Sequence, residues 1–496
     1  MASFFSFLTT KKFPSRTTLR SILRGPLTFL KALVYAVFFL ICIAVYILIL
    51  TINSHFLTTV PARGGSLTEG VIGAPHFINP ILATTDTDVR LVSLIYGSLM
   101  TTQPDGSMAN SLAQSYSVSP DGKTYTVTLL PHAKFDDGSA LTSGDVLFTV
   151  TKLQDSSISN NATYWQGISV ATPDASTAVF TLPAADSTFL SHLNFGILPQ
   201  HVWKNISDAT FDTTSLNIHP IGSGLFKLSS TSSYNSIPVT MALIRNKYAV
   251  QGTPLLDGLT MNFYSDQTDL LGEINDGSVD FTYGLQPQTL TGAVLNPDLK
   301  TASISTDNTI NLYRSASDTS LSSGTTVAAL SSIIDKNAII ATVLHGYGTP
   351  AGAPMNAAAT SLTQSNTSAL ASVAKKGFSI AVENDPTLLL AAHTLASQLG
   401  AQGIPVSVNA FDPGTFQTDI TANVFPVFLA RNGDQAIPST YAVTIPLYTE
   451  SIPYIFNSNI VHLIPPETYQ GPATEYEHIQ SWYTRTNKLW KWFIRK

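Results

Sequence analysis

LIYGSLMTTQPDGSMANSLAQSYSVSPDGKTYTVTLLPHAKFDDGSALTSGDVLF, residues 94–148, is the stretch whose reading decides the fold. Pro104-Asp105-Gly106 and Pro120-Asp121-Gly122 are turn signals, because proline presets φ at one turn position and glycine accepts φ > 0 at a later one. Tyr125, Val127 and Leu129 alternate with Thr124, Thr126 and Thr128, which predicts a strand with one apolar face. A third turn is expected at Asp136-Asp137-Gly138. Thr142 or Ser143 then precedes Asp145, and Val146, Leu147, Val150 and Leu153 recur at helical spacing, as in a capped amphipathic helix.

Outward from that stretch, the chain's 496 residues can bury more than one core, with two or three subdomains expected. Charged residues are 12% and the net charge is −6, so a basic field for nucleic acid is missing and that class of partner is set aside. Cys42 is the single cysteine, which excludes an intramolecular disulfide or a cysteine metal cluster. It lies inside an apolar run, follows Ile41 rather than the small residue a lipobox needs, and reads as a lipid-facing thiol.

Residues 1–31 hold Lys11, Lys12, Arg16, Arg20, Arg24 and Lys31 and no acidic residue, giving a basic N-terminus. Residues 32–52 carry no charge, and at ~1.5 Å per residue they match a ~30 Å hydrocarbon core. The run is longer than a signal peptide's apolar core, so an uncleaved transmembrane anchor is expected, with its basic flank cytoplasmic and the main domain outside. Residues 53–65 read as a tether and residues 489–496 as a basic aromatic tail. Between them, strands are expected at Ser66–Val71, Ala178–Leu182, Phe378–Val382 and Val406–Val408. Val327–Gly346 reads as two helices with Asp335 capping the second. Asp385-Pro386 opens a helix whose stripe is Leu388, Ala392, Leu395 and Leu399. A strand–helix–strand unit of this kind argues for an α/β lobe with parallel strands.

The order of these parts resembles the extracellular solute-binding proteins of family 5, the oligopeptide- and dipeptide-binding proteins of ABC importers. The "LIYGSL" helix end, the "PDG" turns, "DGKTYT", "KFDDG" and "LTSGDVLF" are similar to that family's signature region. Further likenesses are "ILPQHVW" (197–203), "PIGSGLFKL" (220–228), "LIRNKY" (243–248), "GSVDF" (277–281), "IPLY" (445–448) and "WY" (482–483). Two departures stand out. Val327 or Ala328 occupies a position where the family has arginine, and only ten residues separate Asp434 from Ile445.

The resemblance implies an α/β, two-lobed periplasmic-binding-protein fold of the large three-subdomain type, with lobe I from 66–285 plus 440–488 and lobe II from 286–439. It implies a monomeric receptor that captures an oligopeptide by lobe closure and hands it to a separate permease and ATPase, without cofactor. An anchored scaffold that kept the fold and lost its ligand is the alternative, favoured by the two departures.

No catalytic set accompanies these features. Ser372-Val-Ala-Lys375 lacks a K-T-G partner, no G-x-x-x-x-G-K occurs, and the closest histidines, His192 and His201, do not form H-x-x-H, so neither an enzyme nor a local metal site is expected. Binding chemistry remains. By resemblance Asp434 matches the aspartate that holds a peptide ammonium, and Arg431 would grip a carboxylate bidentately. The alternative is that the two pair with each other on a shortened surface loop. Tyr283 and Gly284 match a segment that lines the family's cleft. Trp165 and Tyr164 either line the cleft or belong to the core.

Overall fold

A computed structural model describes residues 29–490, apart from 104–106, 292, 317, 319–320, 322, 353–369, 372, 434–436, 459–462, 464–465, 467, 470 and 477. The chain divides into two compact units, one of residues 1–61 and 486–496 and one of Ala62–Arg485.

In the first unit, helix α1 (Phe29–Phe56) contains the apolar stretch Ala32–Ile49, exposed throughout and long and apolar enough to cross a membrane. Thr51 returns its hydroxyl to the Ile47 carbonyl at 2.7 Å, so this polar group makes no demand on its surroundings. The residues read as a tether are ordered differently. Helix α1 runs on to Phe56, and β1 (Leu57–Ala62) follows at once and pairs with β20 (Arg485–Trp490). A long-range pairing of this kind leaves no local period to read.

The second unit is built on a 12-stranded mixed sheet and two smaller sheets. The signature stretch behaves as its pattern predicts. After β2 (Ser66–Ile72) and α2 (Asp86–Ile95), β3 (Met100–Thr102) and β4 (Met108–Asn110) form a ribbon, although the Pro104 turn between them lies outside the described residues. β5 (Ala113–Val118) and β6 (Thr124–Leu129) form a hairpin across the second turn, where Gly122 takes φ +68°. Tyr125, Val127 and Leu129 are all buried. Thr142 and Asp145 close a capping box on α3 (Ser143–Leu153), the carboxylate accepting from the Thr142 backbone N–H at 2.8 Å. Helix α4 (Ala162–Trp165) leads into β7 (Ser169–Asp174) and β8 (Thr177–Thr181), which complete a four-stranded sheet with β5 and β6.

The large sheet then gathers β9 (Phe226–Tyr234), β10 (Ile237–Arg245), β11 (Gly258–Tyr264), α5 (Gln267–Asn275) and β12 (Phe281–Tyr283) around β2. Their core includes Trp203, Phe226, Met241, Phe281 and Trp482, each within 1% of full burial. Removing one such side chain from water contributes roughly 1.5–3 kcal/mol.

A second core lies under α6 (Gly324–Ile333), α7 (Lys336–Val343), β14 (Gly348–Pro350), β15 (Phe378–Glu383), α8 (Pro386–Ala401), β16 (Val406–Phe411), α9 (Pro413–Thr421) and β17 (Val427–Arg431). Asp335 and Asp385 cap α7 and α8 by accepting from backbone N–H groups three residues on. The stripe Leu388, Ala392, Leu395 and Leu399 is buried, and β15 pairs parallel with β16 across the helix.

Two strands join these cores. β13 (Leu299–Ser315) and β18 (Tyr441–Asn457), 17 residues each, pair antiparallel along nearly their whole length. Ile304 and Tyr454 enter the first core, while Ile310, Leu312, Ile445 and Tyr448 enter the second. The "IPLY" segment is therefore the start of a strand that continues to Asn457.

Candidate functional site

The ladder between β13 and β18 slips between the Ser305–Ser451 and Thr309–Thr449 pairs, at the passage from one core to the other. Thr306 donates its hydroxyl to the Glu450 carbonyl at 2.9 Å, and its Oγ1 accepts the Asn308 N–H at 3.1 Å. A short strand, β19 (Thr468–Tyr469), pairs parallel with Ser305–Thr306. Bulged pairing concentrates twist and bending at this point of the ladder.

Sequence-expected residues sit on both flanks of that passage. Tyr283 ends β12 opposite Tyr454 of β18, and its buried ring lies 5.4 Å from that of Tyr469. Gly284 follows with φ +83° and donates its N–H to the Pro453 carbonyl at 3.2 Å. A side chain there would be strained, and its Cβ would come within 3.7 Å of the Arg90 guanidinium.

Arg431 ends β17 opposite Ile310, which in turn faces Tyr448. Its Nε contacts both carboxylate oxygens of Glu450, at 3.3 and 3.2 Å, and its Nη2 lies 3.6 Å from Asp385. These partners hold its planar head in one orientation. Asp434 lies outside the described residues. Between the Tyr448 and Tyr454 positions, six residues of β18 span about 20 Å, which sets the separation of the Arg431 and Tyr283 flanks along the strand.

Trp165 stands elsewhere. It is 4% exposed and meets Phe189 and Phe195 edge-on, so its ring belongs to the first core. Tyr164 donates to Asp186 at 2.8 Å and stacks on His192.

Beside Tyr283 lies a cluster that the sequence reading missed. Arg90 of α2 places Nη1 2.9 Å from Glu69 of β2 and 2.9 Å from Glu475, with all three side chains at most 5% exposed. Its guanidinium also stands 4.9 Å from the Tyr283 ring centre. Tyr476 donates to Glu69 at 2.6 Å, whereas neither Glu475 oxygen is aligned with a hydrogen-bond donor. Burial pushes both carboxyls above their ordinary range, and Arg90 opposes the shift. One cation for two carboxylates leaves an excess charge, and a proton on Glu475 removes it. A signal was present: Glu69 shares the strand face of Leu67 and Val71, both buried.

A groove of ≈ 1060 Å³ is bordered by Ser93, Thr101, Thr102, Asn194, Gln251 and Gln480 among others, and by no residue of β13 or β18 among the described residues. No Asp, Glu, Lys or Arg borders it among the described residues. No group of three or more metal-ligating side chains occurs among the described residues either.

Comparison with known proteins agrees with this architecture. The Listeria monocytogenes ABC transporter substrate-binding protein CtaP superposes with a TM-score of 0.65 at 20% identity, covering 85% of this chain and 100% of that one. The oligopeptide-binding protein AppA of Bacillus subtilis, solved with a nonapeptide, gives 0.56 at 19% identity, over 86% and 99%. In sequence, AppA is 29% identical over 226 residues, 45% of this chain and 41% of AppA. The glutathione-binding protein GsiB of Pectobacterium atrosepticum is 25% identical over 282 residues, 56% and 53% of the two chains. The chain thus spans about half the length of the curated relatives it matches. The two-lobed fold is the one expected from the sequence. The model of bacterial extracellular solute-binding proteins, family 5, matches residues 107–453, well over half of the sequence, and the chain belongs to that family of binding proteins.

Proposed function

We propose that this chain is the membrane-anchored receptor of an ABC importer, capturing oligopeptides between two lobes outside the membrane and passing them to a permease. The observation that carries this reading is the bulged crossing of β13 and β18 between two separate cores, with Tyr283 and Gly284 on one flank and Arg431 on the other. Hinge closure about such a crossing buries a solute without breaking a bond. The lobes are taken as 66–285 with 440–488, and 286–439. Helix α1 is the single-pass anchor, with the basic residues before it cytoplasmic. The receptor works as a monomer and needs no cofactor.

Asp434 is the residue proposed to meet the peptide ammonium. Glu450 and Asp385, which hold Arg431, already gather carboxylates at the end of β17, and such a setting suits a cationic end better than an anionic one.

The test is a thermal-shift and calorimetric screen of the full chain in detergent against a peptide library, with mass spectrometry of co-purified solutes. A ligand at 100 times its Kd stabilises by about 2.7 kcal/mol, a shift that saturates with dose. Asp434→Ala is expected to weaken free-amine peptides far more than amine-blocked ones. Equal weakening of both removes Asp434 from the role, and a folded protein with no ligand at all favours the anchored scaffold.

A further inference from the structure

Six carboxamide side chains border the ≈ 1060 Å³ groove of the second unit: Gln103, Asn110, Gln114, Asn194, Gln251 and Gln480. An amide has one acceptor oxygen and two donor hydrogens, so the half that is used inside the protein decides what the other half presents. Here the nitrogens are the anchored half. Asn110 Nδ2 donates to the Gln114 carbonyl at 3.1 Å, Gln251 Nε2 to the Ser223 carbonyl at 3.2 Å and Gln480 Nε2 to the Gln251 carbonyl at 3.5 Å. Gly97 makes room for one of these amides, since a Cβ there would stand 2.3 Å from Gln251 Nε2. The buried Gln251 Oε1 meets no donor among the described residues, and the side-chain oxygens of Asn110 and Gln480 accept from none of them either.

One wall of the groove is fixed from behind. Pro472, Ala473, Thr474 and Tyr476 line it, and Glu475 between them lies 2.9 Å from the buried Arg90. Tyr476 is held by its bond to Glu69 at 2.6 Å. Helix α2 thus gives Arg90 to the ion cluster and Val89 and Ser93 to the groove. The cluster keeps the wall in place before a ligand arrives, which removes an ordering cost from binding.

The lining selects a ligand by its chemistry. No Asp, Glu, Lys or Arg among the described residues borders the groove, so a carboxylate, phosphate or ammonium buried there would lack a counter-charge. The fixed oxygens call for donors, and each hydroxyl of a sugar ring supplies one. Val89, Val92, Val250 and Pro472 give the C–H faces of such rings an apolar neighbour. The volume stands at the upper end of the ~300–1,000 Å³ typical of small-molecule sites, which suits several rings better than one.

We propose that this groove is a second binding site, taking a neutral oligosaccharide. Among the described residues it shares no lining with β13 or β18, so it is separate from the proposed peptide cleft and stands whether or not that cleft binds peptides.

The test is an array of neutral and acidic oligosaccharides probed with the full chain in phosphatidylcholine nanodiscs, with empty discs as the control, followed by calorimetry of the neutral glycan best retained. Neutral glycans are expected to be held and acidic ones not. A Gln114→Ala/Gln480→Ala double variant removes two exposed amides and is expected to weaken the retained glycan about tenfold, the worth of one or two neutral hydrogen bonds. Its unfolding temperature should stay that of the wild type, as for exposed substitutions in general. Retention of no glycan overturns the proposal, and so does a double variant that binds like the wild type, because the sugar then sits elsewhere. Equal retention of acidic glycans overturns the neutral class. Displacement of the glycan by peptides from the capture screen merges the groove with the peptide cleft and overturns a separate site, whereas a peptide screen without hits leaves the glycan result standing.

Discussion

On opposite flanks of the crossing strands stand two clusters of the same make-up, each one arginine between two carboxylates. Around Arg90, the side chains of Glu69 and Glu475 have no exposure at all. Around Arg431, the side chains of Glu450 and Asp385 are 16% and 32% exposed and Arg431 itself 20%. Taking an ion out of water costs several kcal/mol, so in the first cluster each charge depends on the others, whereas in the second, water and salt share the load. Burial, rather than the pairing visible in a contact map, decides what each arginine does. Arg90 fastens the 472–476 segment to α2 and β2. Arg431 is a placed charge at the edge of the proposed cleft.

The largest expected effect breaks that comparison most directly. Arg90→Met leaves the Glu69 carboxylate buried without a cation beside the Glu475 carboxyl and is expected to cost about 3–5 kcal/mol at neutral pH, read from urea unfolding. Arg431→Met, the same substitution on the other flank, is expected to cost about 1 kcal/mol or less. Similar losses for the two variants would mean that exposure does not separate the clusters.

A smaller effect sharpens the first cluster. The Glu475 carboxyl is raised in the folded chain, so the folded state keeps a proton that the unfolded chain releases near the ordinary value of 4.5. Its contribution is full below that pH and is lost as the pH rises through the folded value. Glu475→Gln carries no titrating proton, and Glu69 is common to both proteins. The urea midpoint of the wild type is therefore expected to fall relative to Glu475→Gln as pH rises from 4 to 9. A wild type that gains on the variant over that range would show an ionised Glu475.

What could be read beforehand follows the same division between local and distant contacts. The hairpin at Asp121-Gly122, the capping box of Thr142 and Asp145 and the buried stripe from Leu388 to Leu399 were legible, because each is set by residues within a few positions of one another. The full length of β13 and β18 was not, since polar residues such as Thr306 and Asn308 interrupt the alternation at the crossing. Nor was the β1–β20 ribbon, whose strands lie more than 400 residues apart. In the candidate site, Tyr283, Gly284 and Arg431 were singled out through motif order and do flank the crossing. Arg90 and Glu475 were invisible because 385 positions separate them and neither sits in a motif. Glu69 alone carried a local mark, a charge on the apolar phase of a strand, and such a charge asks for a buried partner.

The smallest expected effect concerns salt, and it tests the comparison where the two arginines should differ in kind. At 0.1 M ionic strength the screening length is ~10 Å, and at 1 M it is ~3 Å, shorter than the 3.6 Å between Arg431 and Asp385. Ions can enter the Arg431 cluster because all three of its side chains retain exposure. They cannot enter around Arg90, where Tyr283, Tyr454 and Tyr476 complete a buried shell. Raising sodium chloride from 0.1 to 1 M is therefore expected to shrink the cost of Arg431→Met by a few tenths of a kcal/mol, towards zero, while leaving the cost of Arg90→Met in place. Both variants are compared with wild type at each salt concentration, so the general effect of salt on unfolding cancels. An Arg90→Met penalty that melts away with salt would place water inside the first cluster, and the division by burial would fail there.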